Sequence, residues 1–108
     1  MIVLSFYYKQ NVSFNEEYYY KQHIPLVKNE VFKMGACKYE VKKFVTAADG
    51  SAPPYQFSFS LHFPSQKQLD EFFSNPKLKD LQNDVANYYD GNPDVFIEEI
   101  TIQEDSSM

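Results

Sequence analysis

The segment Tyr55–Phe63, YQFSFSLHF, alternates without a fault over nine residues. Tyr55, Phe57, Phe59, Leu61 and Phe63 fall on one side, and Gln56, Ser58, Ser60 and His62 on the other. A period of two belongs to a β-strand, whose successive side chains point to opposite faces. Five large apolar side chains on one face need a second layer to cover them. The chain must therefore contain a sheet with one packed face, and Pro64 ends this strand of it.

Three further segments complete a sheet. Ile2–Tyr8 is apolar, β-branched and aromatic, which predicts a strand buried on both faces. Cys37–Val45 alternates Cys37, Tyr39 and Val41 against Lys38, Glu40 and Lys42, the pattern of a half-buried strand. Val95–Ile102 is the last. Thr46–Pro54, TAADGSAPP, is a loop, with Asp49-Gly50 as its turn.

Two helical stretches separate these strands. Ser13-x-x-Glu16 has the form of a capping box, so a helix is predicted from about Phe14 to Met34, with Gly35 as its stop. Tyr20, Ile24, Val27, Val31 and Met34, spaced 4, 3, 4, 3, form its apolar stripe. Ser65-x-x-Gln68 opens a second helix to about Phe73. Asn75-Pro76 restarts it, and Leu78, Leu81, Val85 and Tyr88 then turn inward until Gly91-Asn92-Pro93. The order β-α-β-β-α-β predicts an α+β, ferredoxin-like domain over residues 1–103, with a four-stranded antiparallel sheet and both helices on one face. Glu104–Met108 reads as a polar tail. The strand faces left uncovered are expected to carry many Phe and Tyr and to meet a partner sheet, which makes a homodimer the expected assembly.

Composition narrows the function. The net charge is −5 and the ten basic residues form no stripe, which argues against nucleic acid. No apolar run approaches the ~20 residues of a membrane span, and the N-terminus is a poor signal peptide; a cytoplasmic protein is expected. One Cys and two His in no ligand spacing predict no metal site. With three Gly and no phosphate loop, no nucleotide or flavin cofactor is expected.

The stretch Tyr18–Val27, YYYKQHIPLV, holds the main candidate for chemistry. Pro25 lies inside a predicted helix, where it removes the hydrogen bond to the Lys21 carbonyl at a cost of roughly 3 kcal/mol. His23 stands beside that defect, one turn after Tyr19. An imidazole half out of water there can act as acid or base near neutral pH. The plainer alternative is a kinked helix in which His23 caps the freed carbonyl. Tyr19, nearer the edge of the stripe, is the candidate hydrogen-bond donor; Tyr20 lies in the stripe. Asp84 can orient His23, or else sits on the solvated face with Asn87 as a helix C-cap. Tyr88 and Tyr89 are candidates for a pocket wall or for core. His62, with Ser58 and Ser60, lacks the third group and oxyanion site of a nucleophile pair and is expected in a polar layer or rim. Cys37 is expected on the apolar face as a small hydrophobe.

Phe14, Tyr18-Tyr19, His23-Ile24-Pro25-Leu26-Val27, Tyr39-Glu40-Val41, Pro53-Pro54-Tyr55, Leu61-His62-Phe63-Pro64-Ser65 and Asp84-Val85-Ala86-Asn87-Tyr88 together resemble the EthD family of the dimeric α+β-barrel superfamily. His62 departs from the pattern, since that position is often aromatic. The resemblance implies a ferredoxin-like fold whose sheets close into a barrel across a homodimer. It implies a small cofactor-independent enzyme acting on an apolar or aromatic metabolite by proton transfer, cyclisation or oxygenation. His23 and Tyr19 would be catalytic, and Tyr20, Leu26, Asp84, Asn87 and Tyr88 would contact the substrate. The alternatives are a non-catalytic binding or accessory protein to a degradative oxygenase system, and a dimer whose aromatic residues are only core and interface.

Overall fold

The computed structural model describes residues 1–106. Strand β1 spans Ile2–Lys9, β2 Lys38–Lys43, β3 Tyr55–Phe63 and β4 Asp94–Glu99, and all neighbouring pairs are antiparallel in the order β2-β3-β1-β4. With its helices on one face, this is the ferredoxin-like α+β arrangement. The bounds of β3 are those its alternation gives, whereas β2 and β4 are shorter than the sequence suggests. Residues 104–106 are exposed and outside regular structure; 107 and 108, the rest of the expected tail, lie outside the described residues. Among the described residues no helix is long and apolar enough to cross a membrane.

Register decides which side chains meet the helices. Leu4 pairs with Leu61, Phe6 with Phe59 and Tyr8 with Phe57, so the even positions of β1 share a face with the odd positions of β3. Tyr39 and Val41 join them from β2, and Val95 and Ile97 from β4. The opposite face is more polar than expected. Ser5, Ser58, Ser60, His62, Glu40, Lys42 and Glu98 occupy it, and its aromatic residues gather at one corner as Tyr7, Tyr55 and Phe96. Ser5 Oγ lies 3.0 Å from Ser60 Oγ and donates to Glu98, which also accepts from Tyr7 at 2.9 Å. Phe57, Phe59, Leu61 and Phe63 go to the helix side as their alternation requires, but Tyr55, expected with them, pairs with Lys9 past a register shift and turns to the opposite face against Tyr7. Cys37, expected on the apolar face, lies just before β2 and is exposed.

The first helical stretch has three parts: α1 (Glu16–Tyr18), a π-helical turn (Tyr19–His23) and α2 (Ile24–Lys33). The capping box does not form. Asn15 is the cap, its Oδ1 accepting from the Tyr18 amide at 3.0 Å. The reason is tertiary. The Asn15 amide donates to the Tyr88 carbonyl at 2.7 Å and the Asp90 amide to the Ser13 carbonyl at 3.1 Å, which holds residues 13–15 as a bridge against 88–90.

The π-turn resolves the proline defect. The Ile24 amide reaches five residues back to the Tyr19 carbonyl, and Pro25 then falls in the first turn of α2, where a missing N–H costs little. One extra residue in a turn rotates everything before it by about 100°. The inward stripe therefore runs through Tyr19 and His23 to Val27, Val31 and Met34. Tyr20, predicted to point inward, is 47% exposed. Gly35, at φ +108°, ends α2 as predicted, with the Ala36 amide on Val31 O at 3.0 Å and the Gly35 amide on Phe32 O at 3.3 Å.

Helices α3 (Gln66–Ser74) and α4 (Lys77–Asn83) lead into a 3₁₀ turn, Asp84–Asn87. Ser65 does not complete its capping box either, because its hydroxyl bonds the Gln68 side chain and not the amide. Asn75 Oδ1 accepts from the Lys77 amide at 2.9 Å, as a cap before α4 should.

Candidate active site

The π-turn and the 3₁₀ turn face each other and bring together residues 61 apart in sequence. His23 Nδ1 lies 2.8 Å from Asp84 Oδ2. An ionised carboxylate can only accept, so Nδ1 carries the proton and Nε2 the lone pair. Asp84 is braced on its other oxygen by Tyr18 OH at 2.7 Å and Asn87 Nδ2 at 3.0 Å. Asn87 reaches that oxygen because side chains three apart eclipse in a 3₁₀ turn. Burial pushes the Asp84 carboxyl up, but the bonds from Tyr18, Asn87 and His23 outweigh it, and the net shift is downward. Burial likewise dominates at His23 and lowers its pKa, against the pull of Asp84. The ring is therefore neutral at pH 7.

Tyr88 OH is 3.4 Å from His23 Nε2 and 2.6 Å from Tyr8 OH. These three side chains form a continuous polar chain from β1 to the π-turn, ending at Asp84. Burial raises the Tyr8 phenol to about 12 and raises that of Tyr88 further, so both remain protonated. Tyr88 stays in place because its backbone is half of the bridge to residues 13–15.

A cavity of ≈ 360 Å³ opens between sheet and helices beside this chain. That is within the range of small-molecule sites. Phe6, Phe59 and Leu61 floor it from the sheet; Val27, Val31, Phe72, Leu78, Leu81 and Val85 roof it from the helices. His23, Tyr8 and Tyr88 are its buried polar groups, and Gln82, Asn92 and Val95 are exposed at its rim, beside Pro93. Leu78, Leu81, Val85 and Tyr88, read from sequence as inward-facing, all border it.

The other expected residues are placed differently. Tyr19 does not border the cavity. It is fully buried, stacked on His23 with centroids 5.7 Å apart, and its hydroxyl has no hydrogen-bond partner among the described residues. Burial pushes that phenol far up. Tyr20 and Leu26 are each 47% exposed and do not border the cavity either. Asp84 and Asn87 act behind His23, and Tyr89 is core, its OH accepting from the Lys9 amide at 3.0 Å. Tyr8 and Tyr18 were missed. Tyr8 reads as an ordinary core residue at the end of a strand, and only its polar tip hints otherwise. No group of three or more His, Cys, Asp or Glu among the described residues could hold a metal ion.

Solved structures share this fold. An EthD-like protein from Ralstonia eutropha JMP134 superposes with TM-score 0.79 at 22% identity, over 95% of this chain and 94% of that one. An ethyl tert-butyl ether D (EthD) family protein from Bacillus halodurans C-125 gives 0.71 at 15% identity, over 93% and 97%. An antibiotic biosynthesis monooxygenase gives 0.54 at 15% identity, over 94% and 100%. No curated protein matches significantly. The EthD domain profile matches residues 12–92, a span that contains His23, Asp84 and Tyr88 and well over half of the 108 residues. The chain belongs to the EthD family.

Proposed function

We propose that this protein is a small acid–base enzyme that removes a proton from an apolar or aromatic metabolite held between its helices and its sheet, with His23 as the base. The observation that carries this reading is an oriented, neutral imidazole on the wall of a half-open, mostly apolar cavity. The substrate's X–H bond breaks, its electron pair stays on X, and the proton goes to Nε2. Asp84 holds the productive tautomer and stabilises the imidazolium that forms. Tyr88, backed by Tyr8, supplies a hydrogen bond to the new anion. Reprotonation at another atom, ring closure or reaction with dioxygen then follows from the substrate's own chemistry. In this reading Tyr19 fixes the imidazole plane by stacking and takes no direct part.

We place this activity in a homodimer. Phe96, on the uncovered sheet face, is 51% exposed beside Tyr7 and Tyr55. A second copy laid on this face would cover that aromatic corner.

Solvent exchange tests the activity. In D₂O, the wild-type chain should speed deuterium incorporation at the acidic carbon of 1,3-diketones or 1,3-dihydroxybenzenes, followed by ¹H NMR. His23→Gln should lose the acceleration while still binding. Wild-type binding with no exchange across the panel would instead make this a binding protein.

A further inference from the structure

We infer that the cavity selects an uncharged, apolar-bodied ligand that presents one weakly acidic O–H or C–H to His23 at its buried end, and that it turns away carboxylates and phosphate esters. This rests on reading the cavity as an acid–base site and names the substrate class of that site.

The first observation is charge. Not one residue bordering the cavity is Asp, Glu, Lys or Arg. An anion seated there loses its hydration and meets no cation. The ring it would approach is neutral, because burial outweighs the help of Asp84. The carboxylate of Asp84 stands directly behind that ring, bonded to its other edge at 2.8 Å, and repels a second anion. A cation gains little either, since the Asp84 carboxylate is shielded behind the imidazole.

The second observation is donor–acceptor polarity. With Nδ1–H committed to Asp84, Nε2 offers only a lone pair. Tyr8 and Tyr88 share a single hydrogen bond at 2.6 Å, and with Tyr8 donating, the Tyr88 hydroxyl reaches Nε2 only at a long 3.4 Å. The buried end of the cavity thus lacks one good donor to Nε2, and a ligand O–H or acidic C–H supplies it.

The third observation is the lining. The space lies between the sheet face (Phe6, Phe59) and helix side chains (Val27, Val31), so its facing walls are apolar. The exposed rim carries the neutral amides Gln82 and Asn92, which can bond a carbonyl or hydroxyl at the outer end of the ligand.

Isosteric pairs test this with the full chain: phenol against benzoate, and 2-naphthol against 2-naphthoate, by isothermal titration calorimetry at pH 7.5. The hydroxyl member should bind at least ~100-fold more tightly, the discrimination an unpaired buried charge imposes. 2-Methoxynaphthalene, which lacks the acidic hydrogen, should bind about tenfold more weakly than 2-naphthol. Gln82→Lys adds a cation at an exposed rim position and should narrow the naphthol–naphthoate gap at least about tenfold. Carboxylate binding equal to or tighter than hydroxyl binding in the wild type would overturn the charge selection while leaving the deuterium-exchange result standing. No binding by any neutral member at millimolar concentration would overturn the ligand class and the site together.

Discussion

The molecule has two histidines and pairs each with a carboxylate, on opposite sides of one sheet. Burial does not distinguish them: His23 is 6% exposed and His62 5%. What differs is the surroundings. His23 meets Asp84 at 2.8 Å, and Tyr18 and Asn87 lock that carboxylate. Its other nitrogen faces Tyr88 beside a cavity. His62 meets Glu40 at a looser 3.3 Å, and Glu40 shares its charge with Lys42 at 3.7 Å. The Glu40 side chain is 36% exposed against 13% for Asp84. His62 lies on the uncovered sheet face and has no share in the cavity wall. What sets the His23 pair apart as the candidate is that its free nitrogen meets both a cavity and a second polar group.

The largest expected contrast is in rate. His23→Gln should lower catalysed deuterium exchange by about 10²–10⁴-fold, whereas His62→Gln should leave it within about twofold. Asp84→Asn comes next. It keeps the shape but takes away the charge that orients and supports the imidazolium, so exchange should fall about 100-fold. The same variant should lower the His23 pKa further, because Asp84 is what raises it; ¹H NMR titration of the ring reads this directly.

Stability gives a smaller contrast. Asp84→Ala leaves the buried Nδ1–H of His23 without its acceptor and should cost about 1–3 kcal/mol in urea denaturation. Glu40→Ala, at a partly exposed and screened pair, should cost below about 1 kcal/mol. If the two costs prove equal, the distinction between the pairs fails.

The smallest effect is in the pH profile. His23 has a folded pKa below its ordinary 6.5, so below that pH the unfolded chain takes up a proton the native ring resists. Stability should be full above pH 6.5 and decline as the pH falls through the folded value. The depressed Asp84 carboxyl adds a second loss below 3.8. Urea midpoints from pH 8 to 5 should show the upper decline in wild type and a shallower one in His23→Gln.

Much of the scaffold was legible in the chain. The alternation of β3 holds from Phe57 to Phe63 and fails at Tyr55, where a register shift against β1 turns the side chain to the other face, and Gly35 supplies the positive φ that its helix end needs. The π-turn was not legible. Pro25 announces a lost hydrogen bond but not its repair, and a stripe drawn at constant 3.6 periodicity puts Tyr20 inward where the extra residue puts Tyr19. Ser13 and Asn15 are both good caps, and the choice is made by residues 88–90, far along the chain. The Asp84–His23 bond is of the same kind. Each residue had a plain alternative alone, and only the crossing of two helical stretches joins them. The uncovered face was misjudged because its aromatic residues were counted before the register had assigned them to sides.

The tautomer and charge of His23 test the account most directly. ¹⁵N-detected NMR of the wild-type imidazole at pH 7 should show Nδ1 protonated and Nε2 bare, with a pKa below 6.5. An Nε2–H tautomer, or an imidazolium at that pH, would leave no base facing the cavity and contradict the account.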